Sequence, residues 1–209
     1  MQPRIGPLVA AILLVVGSRA AADTPPGKKP SRASVADEKL RQELLDRTQK
    51  DQAVRKELLS RTPDDAEVQE MVQVDLDNTA WLKQVVESHG WPGNALVGED
   101  GAFAAWLLVQ HADLDPAFQK KCLGLLAKAV EKNDASPRNL AYLTDRVRVN
   151  EKKPQVYGTQ FDLVGGKLKP KPIEDDAHVD DRRKQAGLEP LSEYLKSAEA
   201  ALPPDKAGS

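Results

Sequence analysis

Residues 103–109 read FAAWLLV, the longest apolar run outside the N-terminus. A helix that is apolar on every side cannot lie on a surface, so the stretch from Ala102 to Val109 predicts a central, buried helix around which the other elements pack. It lies within residues 89–113, HGWPGNALVGEDGAFAAWLLVQHAD, which hold two of the three tryptophans (Trp91, Trp106) and two of the three histidines (His89, His111). Gln110 and His111 close the run and are expected to be at least partly buried.

The chain on either side bounds what this helix can serve. Residues 1–22 have the pattern of an export signal. Arg4 gives a short basic start, Ile5 to Val16 an apolar stretch, and Ala20 and Ala22 an A-x-A cleavage site; cleavage after Ala20, with Ser18 three positions back, fits as well. Residues 23–34 are a Pro-rich polar linker, 35–201 a single helical domain and 202–209 a tail. The expected location is therefore periplasmic or secreted, with no membrane span once the signal is removed. Loss of Arg4 and Arg19 leaves 28 basic against 32 acidic side chains, a net charge of −4, which argues against a nucleic-acid partner. Cys122 is the only cysteine, so no internal disulfide supports the fold.

Two amphipathic helices are expected before the central one. Between Val35 and about Ser60, Leu40, Leu44, Val54 and Leu58 share a seam whose middle is occupied by Arg47 and Asp51, with Arg55 one turn further. From about Pro63 to Ser88, with Thr62 as cap, a seam of Val68, Met71 or Val72, Leu82 and Val85 or Val86 is interrupted by Asp75 and by Asn78 or Thr79. Reflected about residue 62, the pair brings Arg47 near Asp77, with Asp75 and Asn78 within about a turn, and Asp51 near Gln73. Buried charges must be paired, so the spacing predicts a polar cluster between the helices.

After the break at Gly90 to Gly101, Glu99-Asp100-Gly101 opens the central helix. Asp115-Pro116 starts a helix with Phe118, Cys122, Leu125, Leu126, Ala129 and Val130 inward, and Ser136-Pro137 starts another that carries Asp145 and Arg146 near its end. Tyr157-Gly158-Thr159-Gln160-Phe161 alternates like a strand, Gly165-Gly166 signals a hairpin turn, and Lys167 to Ile173 returns as an edge strand. Charged residues 175–186 form a helix ended by Gly187, and 190–201 a last short one. The fold class is mainly α: an irregular helical bundle with one β-hairpin near residues 156–173.

The chain has no CxxC, HExxH, GxSxG, P-loop or dinucleotide fingerprint, and no cofactor is implied. His111 is the candidate general base, against the plainer role of a core histidine bonded to backbone. His89 ends a helix, where a histidine also favours the helix dipole. His178 sits in an acidic surface helix. His89, His111, Asp75, Asp77 and Glu99 include metal-ligand types, but no spacing is diagnostic and no metal is assigned. Asp145-Arg146 also fits a surface or helix-end pair.

The blocks HGWPG, LVGEDGAFAAWLLVQHAD, FQKKCLGLL, LAYLTDRVRVNEKKPQVYGTQF, PIEDDAHVDDRR and GLEPLSEY, with RTQKDQAVR upstream, together resemble a bacterial family catalogued only as a domain of unknown function. The resemblance spans roughly residues 40–197. It implies a mostly helical domain, often exported, and carries no activity, substrate or catalytic residue with it. Asp51, Arg55, His89, Trp91, Gln110, His111, Asp145, Arg146, Tyr157 and Gln160 fall within its motif blocks.

Three functional expectations follow. In the first, a polar pocket of Arg47, Arg55, Asp51, Asp75, His89, Gln110, His111 and Gln160, walled by Trp91 and Tyr157, binds a small polar ligand or a peptide. In the second, a hydrolase-like site uses His111 as base, Asp51 or Asp145 to orient it, and Arg146 or Arg55 to stabilise negative charge. In the third, the polar network is structural only.

Overall fold

The computed structural model describes residues 35–60 and 63–202. The expected export signal and linker, the Thr62 cap and the tail from residue 203 lie outside the described residues. Among them are α1 (Glu38–Ser60), α2 (Asp65–His89), α3 (Asn94–Gln110), α4 (Pro116–Glu131), α5 (Pro137–Asn150), β1 (Phe161–Val164), β2 (Lys167–Pro170), a 3-10 turn (Asp176–His178), α6 (Val179–Gln185) and α7 (Leu191–Ala200). The protein is mainly α, and no helix among the described residues is long and apolar enough to cross a membrane.

α3 is the spine. It packs against α1, α2, α4 and α5. Val97, Ala105 and Val109 are fully buried, and Trp106, Leu107 and Leu108 are nearly so; each such large apolar side chain contributes about 1.5–3 kcal/mol of transfer free energy. Phe103 departs from the all-round burial expected of the run: it is 37% exposed, its ring resting on Trp106 at 5.2 Å. Only the part of α3 after Gly98 starts where Glu99-Asp100 suggested. A first turn from Asn94 precedes it, and Gly98, at φ +74°, makes the kink that a side chain would resist. Asp134, from the α4–α5 turn, caps that first turn: its carbonyl accepts from Asn94 N at 2.8 Å and its carboxylate from Ala95 N at 2.7 Å. A Cβ at Gly93 would stand 2.1 Å from Asp134 Oδ2, so glycine permits the approach.

The other helix starts follow local chemistry. Asp115 accepts from Phe118 N at 3.0 Å and caps α4 as expected. At α2 the cap is Asp64: its carboxylate accepts from Glu67 N at 2.9 Å, while the Glu67 carboxylate accepts from Asp64 N at the same distance, a reciprocal capping box.

The hairpin is displaced from its expected first strand. β1 and β2 pair antiparallel with Leu163 opposite Leu168, turning at Gly165-Gly166. Tyr157 to Gln160, expected as strand, is irregular, because its backbone N–H groups are drawn to the Asp145 carboxylate instead of a ladder. Val156 N donates to Asp145 Oδ1 at 2.7 Å, Tyr157 N to the same oxygen at 3.0 Å, and Thr159 N and Oγ1 to Oδ2, each at 2.9 Å.

Candidate acid–base site

The polar residues that interrupt the seams of α1 and α2 meet the end of α3. Asp51, in the middle of α1, is 1% exposed, and Gln110 and His111 are 0% and 7% exposed. His111 is the C-cap of α3, at φ −90° and ψ 0°, a turn that lets its ring reach back across to α1.

His111 Nδ1 lies 2.9 Å from both carboxylate oxygens of Asp51 and 3.0 Å from Arg55 Nε, which is itself 3.2 Å from Asp51 Oδ1. Arg55 Nε–H is aimed both at Nδ1 and at Asp51 Oδ1, so Nδ1 has two competing partners: it accepts from Arg55 when bare, and donates to Asp51, leaving Arg55 Nε–H to Asp51 Oδ1, when it carries the ring proton. None of the described hydrogen bonds reaches Nε2. The other end of the Arg55 guanidinium pairs with Asp75 on α2.

The charges respond to this packing. Burial raises the Asp51 carboxyl, but its hydrogen bond to His111, with the Arg55 guanidinium, outweighs it and holds Asp51 below the ordinary carboxylate value. Burial lowers His111, with Arg55 and Arg146 acting in the same sense against Asp51, which favours the uncharged ring. Asp75 is pushed up to about 7 by burial, helped by Asp51 and Asp113 and opposed by Arg55.

A second layer comes from α5 and α4. Arg146, 4% exposed, donates from Nε to Gln110 Oε1 at 3.2 Å and pairs through Nη1 with Asp113 Oδ2 at 3.2 Å. Gln119 Nε2 lies 3.1 and 3.2 Å from the carbonyls of Val109 and Gln110 at the end of α3, and 3.0 Å from Asp113 Oδ1. Asn150 Nδ2 joins Gln119 Oε1 at 2.9 Å. Gln119, Asp113 and Asn150 did not stand out in the sequence. The signal for Gln119 was the one that marked Asp51, a polar residue on the core stripe of its helix, in line with Cys122, Leu126 and Ala129.

The described hydrogen bonds of the remaining candidates go to groups other than His111. Arg47 bonds Glu43 at 2.7 Å and, in place of the expected Asp77, Asn78 at 3.3 Å, within the turn that reflection of the helices allowed, and its guanidinium stands 4.4 Å over Trp81. Asp51 does not meet Gln73, which is exposed and bonded to Asp77. His89 hangs at the exposed end of α2, Nδ1 3.3 Å from Val85 O. Trp91 and Tyr157 pack half-buried on the core. Gln160 bonds Thr159 Oγ1 within the Asp145 loop. Asp145, the other candidate to orient His111, spends its carboxylate on that loop. His178 is exposed and bonded to Asp175.

Asp51, Asp75 and His111 bring three ligand-type atoms within 4.8 Å of one another. Two carboxylates and an imidazole suit a divalent cation. Here the Arg55 guanidinium contacts all three and supplies the positive charge, so a metal would have to displace it.

Fold and site thus define a helical bundle with a buried Asp–His pair at the end of its central helix. The family model described as a family of unknown function (DUF6624) matches residues 38–203, and the chain belongs to that family. Comparison with curated proteins and with solved structures gives no significant match.

Proposed function

We propose that the end of α3 is the site of a hydrolase-like enzyme in which His111 Nε2 is the general base. The observation that carries this reading is the contact of His111 Nδ1 with both oxygens of the buried, ionised Asp51. Such a partner fixes the tautomer, directs the basic nitrogen away from itself and stabilises the imidazolium formed when His111 takes a proton from water. The same proton is returned to the leaving group, and Arg146 and Arg55 balance negative charge that develops on the substrate. The partial exposure of Arg55, Asp75 and Asp113 marks the side from which a small polar substrate reaches the histidine. Export to the periplasm or medium is part of the proposal and rests on the pattern of residues 1–22.

The test is the 15N spectrum of the imidazoles together with a panel of chromogenic esters, amides, phosphoesters and glycosides. The expected result is a neutral His111 protonated on Nδ1, and turnover that His111→Ala abolishes while circular dichroism is unchanged. A proton on Nε2 at neutral pH, or loss of melting temperature in His111→Ala with no turnover by the parent, assigns the pair a structural role instead.

A further inference from the structure

We infer that Gln110 Nε2 receives the acyl oxygen of a neutral carboxylic ester or amide, which names the substrate class of the proposed hydrolytic site and rests on that reading. Gln110 is 0% exposed, and its Nε2 has no hydrogen-bond partner. The orientation of the amide is not free. Arg146 Nε–H donates to Oε1 at 3.2 Å, and the flipped amide would set two donors against each other. Gln110 therefore holds two buried N–H groups that call for an acceptor.

Arg146 ties the Gln110 side chain to the polar groups around His111, since it holds Gln110 Oε1 and pairs with Asp113. Gln110 precedes His111 at the end of α3, and its Oε1 accepts from the buried Arg146 of α5. A buried amide donor on the residue next to a general base, its oxygen held by a guanidinium, can polarise a carbonyl and meet the negative charge arising on its oxygen. The charge around it selects among acceptors. Asp51, Asp75 and Asp113 face the two arginines, so a phosphate dianion would add to three carboxylates whereas a neutral carbonyl would not.

The experiment follows the Gln110 side-chain NH2 signals in 1H–15N spectra of the full chain, assigned by their disappearance in Gln110→Glu. The probes are N-acetylglycine methylamide, inorganic phosphate and methyl glucoside. The acyl probe alone is expected to shift these signals. Gln110→Glu keeps an oxygen for Arg146 and removes the donor, so it should weaken that probe by about tenfold or more. A response only to phosphate or glucoside overturns the inference, as does no response to any probe, the result expected if an internal water satisfies the amide. The readout needs no turnover. A response at Gln110 with His111 in the wrong tautomer would remove the catalytic reading and leave the ligand class standing.

Discussion

At the scale of single residues, Asp75 is where burial and pairing pull hardest against each other. Its carboxyl, ordinarily at 3.8, is pushed up to about 7 by burial although Arg55 favours its ionised form. A carboxyl whose folded value is raised stabilises the fold below its unfolded value and loses that contribution as pH rises through the folded one. Asp75→Asn removes this term. The stability of the variant relative to the parent should therefore climb by a few kcal/mol between about pH 4 and pH 8, read from denaturant midpoints at each pH. A relative stability that falls over the same range would mean that the Arg55 pair dominates. His111 works in the opposite sense: its lowered value makes protonation oppose folding, so its contribution is full above 6.5 and is lost as pH falls through the folded value. Comparing the single variants Asp75→Asn and His111→Gln with their double separates the two slopes. The sequence marked these residues because polar side chains stood on apolar stripes. It did not supply the pairing, since which of Arg47, Asp51 and Arg55 meets Asp75 depends on the offset between two helices.

Among elements, the segment from Tyr157 to Gln160 shows where sequence pattern and structure part. Its alternation resembles a strand, yet the buried carboxylate of Asp145 offers its N–H groups better acceptors than a hairpin partner could. A period-2 pattern in a short run carries no information about a side chain eleven to fourteen residues upstream. The helices were legible because their signals are local: Asp115 before Pro116, and the stripe of Phe118, Cys122 and Leu126. Asp145→Ala leaves three backbone N–H groups without acceptors, and a cost of about 3–5 kcal/mol is expected. Hydrogen exchange should show the amides of Val156, Tyr157 and Thr159 losing protection while the His111 imidazole shifts stay in place. If His111 moves too, Asp145 also supports the Asp–His pair, through its neighbour Arg146.

For the whole molecule, the apolar run that constrained the fold from the outset also governs how it comes apart. One contiguous core cluster joins Leu40 and Leu44 of α1, Leu82 of α2, Trp106 and Leu108 of α3, Cys122 and Leu126 of α4, Leu143 of α5 and Tyr194 of α7. Elements that share one core lose it together, because each exposes the face of its neighbour when it leaves. Leu108, 2% exposed, lies in the middle of that cluster. Leu108→Ala removes its contacts and leaves a cavity that close packing relaxes only in part, so a loss of about 2–5 kcal/mol is expected. The loss should appear as one transition, with the same midpoint by helical circular dichroism and by the fluorescence of Trp81, Trp91 and Trp106, which report on α2, the α2–α3 turn and α3. Separate midpoints would show that α1 and α2, which carry Asp51, Arg55 and Asp75, can detach from the end of α3 while the rest stays folded. The Asp–His pair would then exist only when that docking holds.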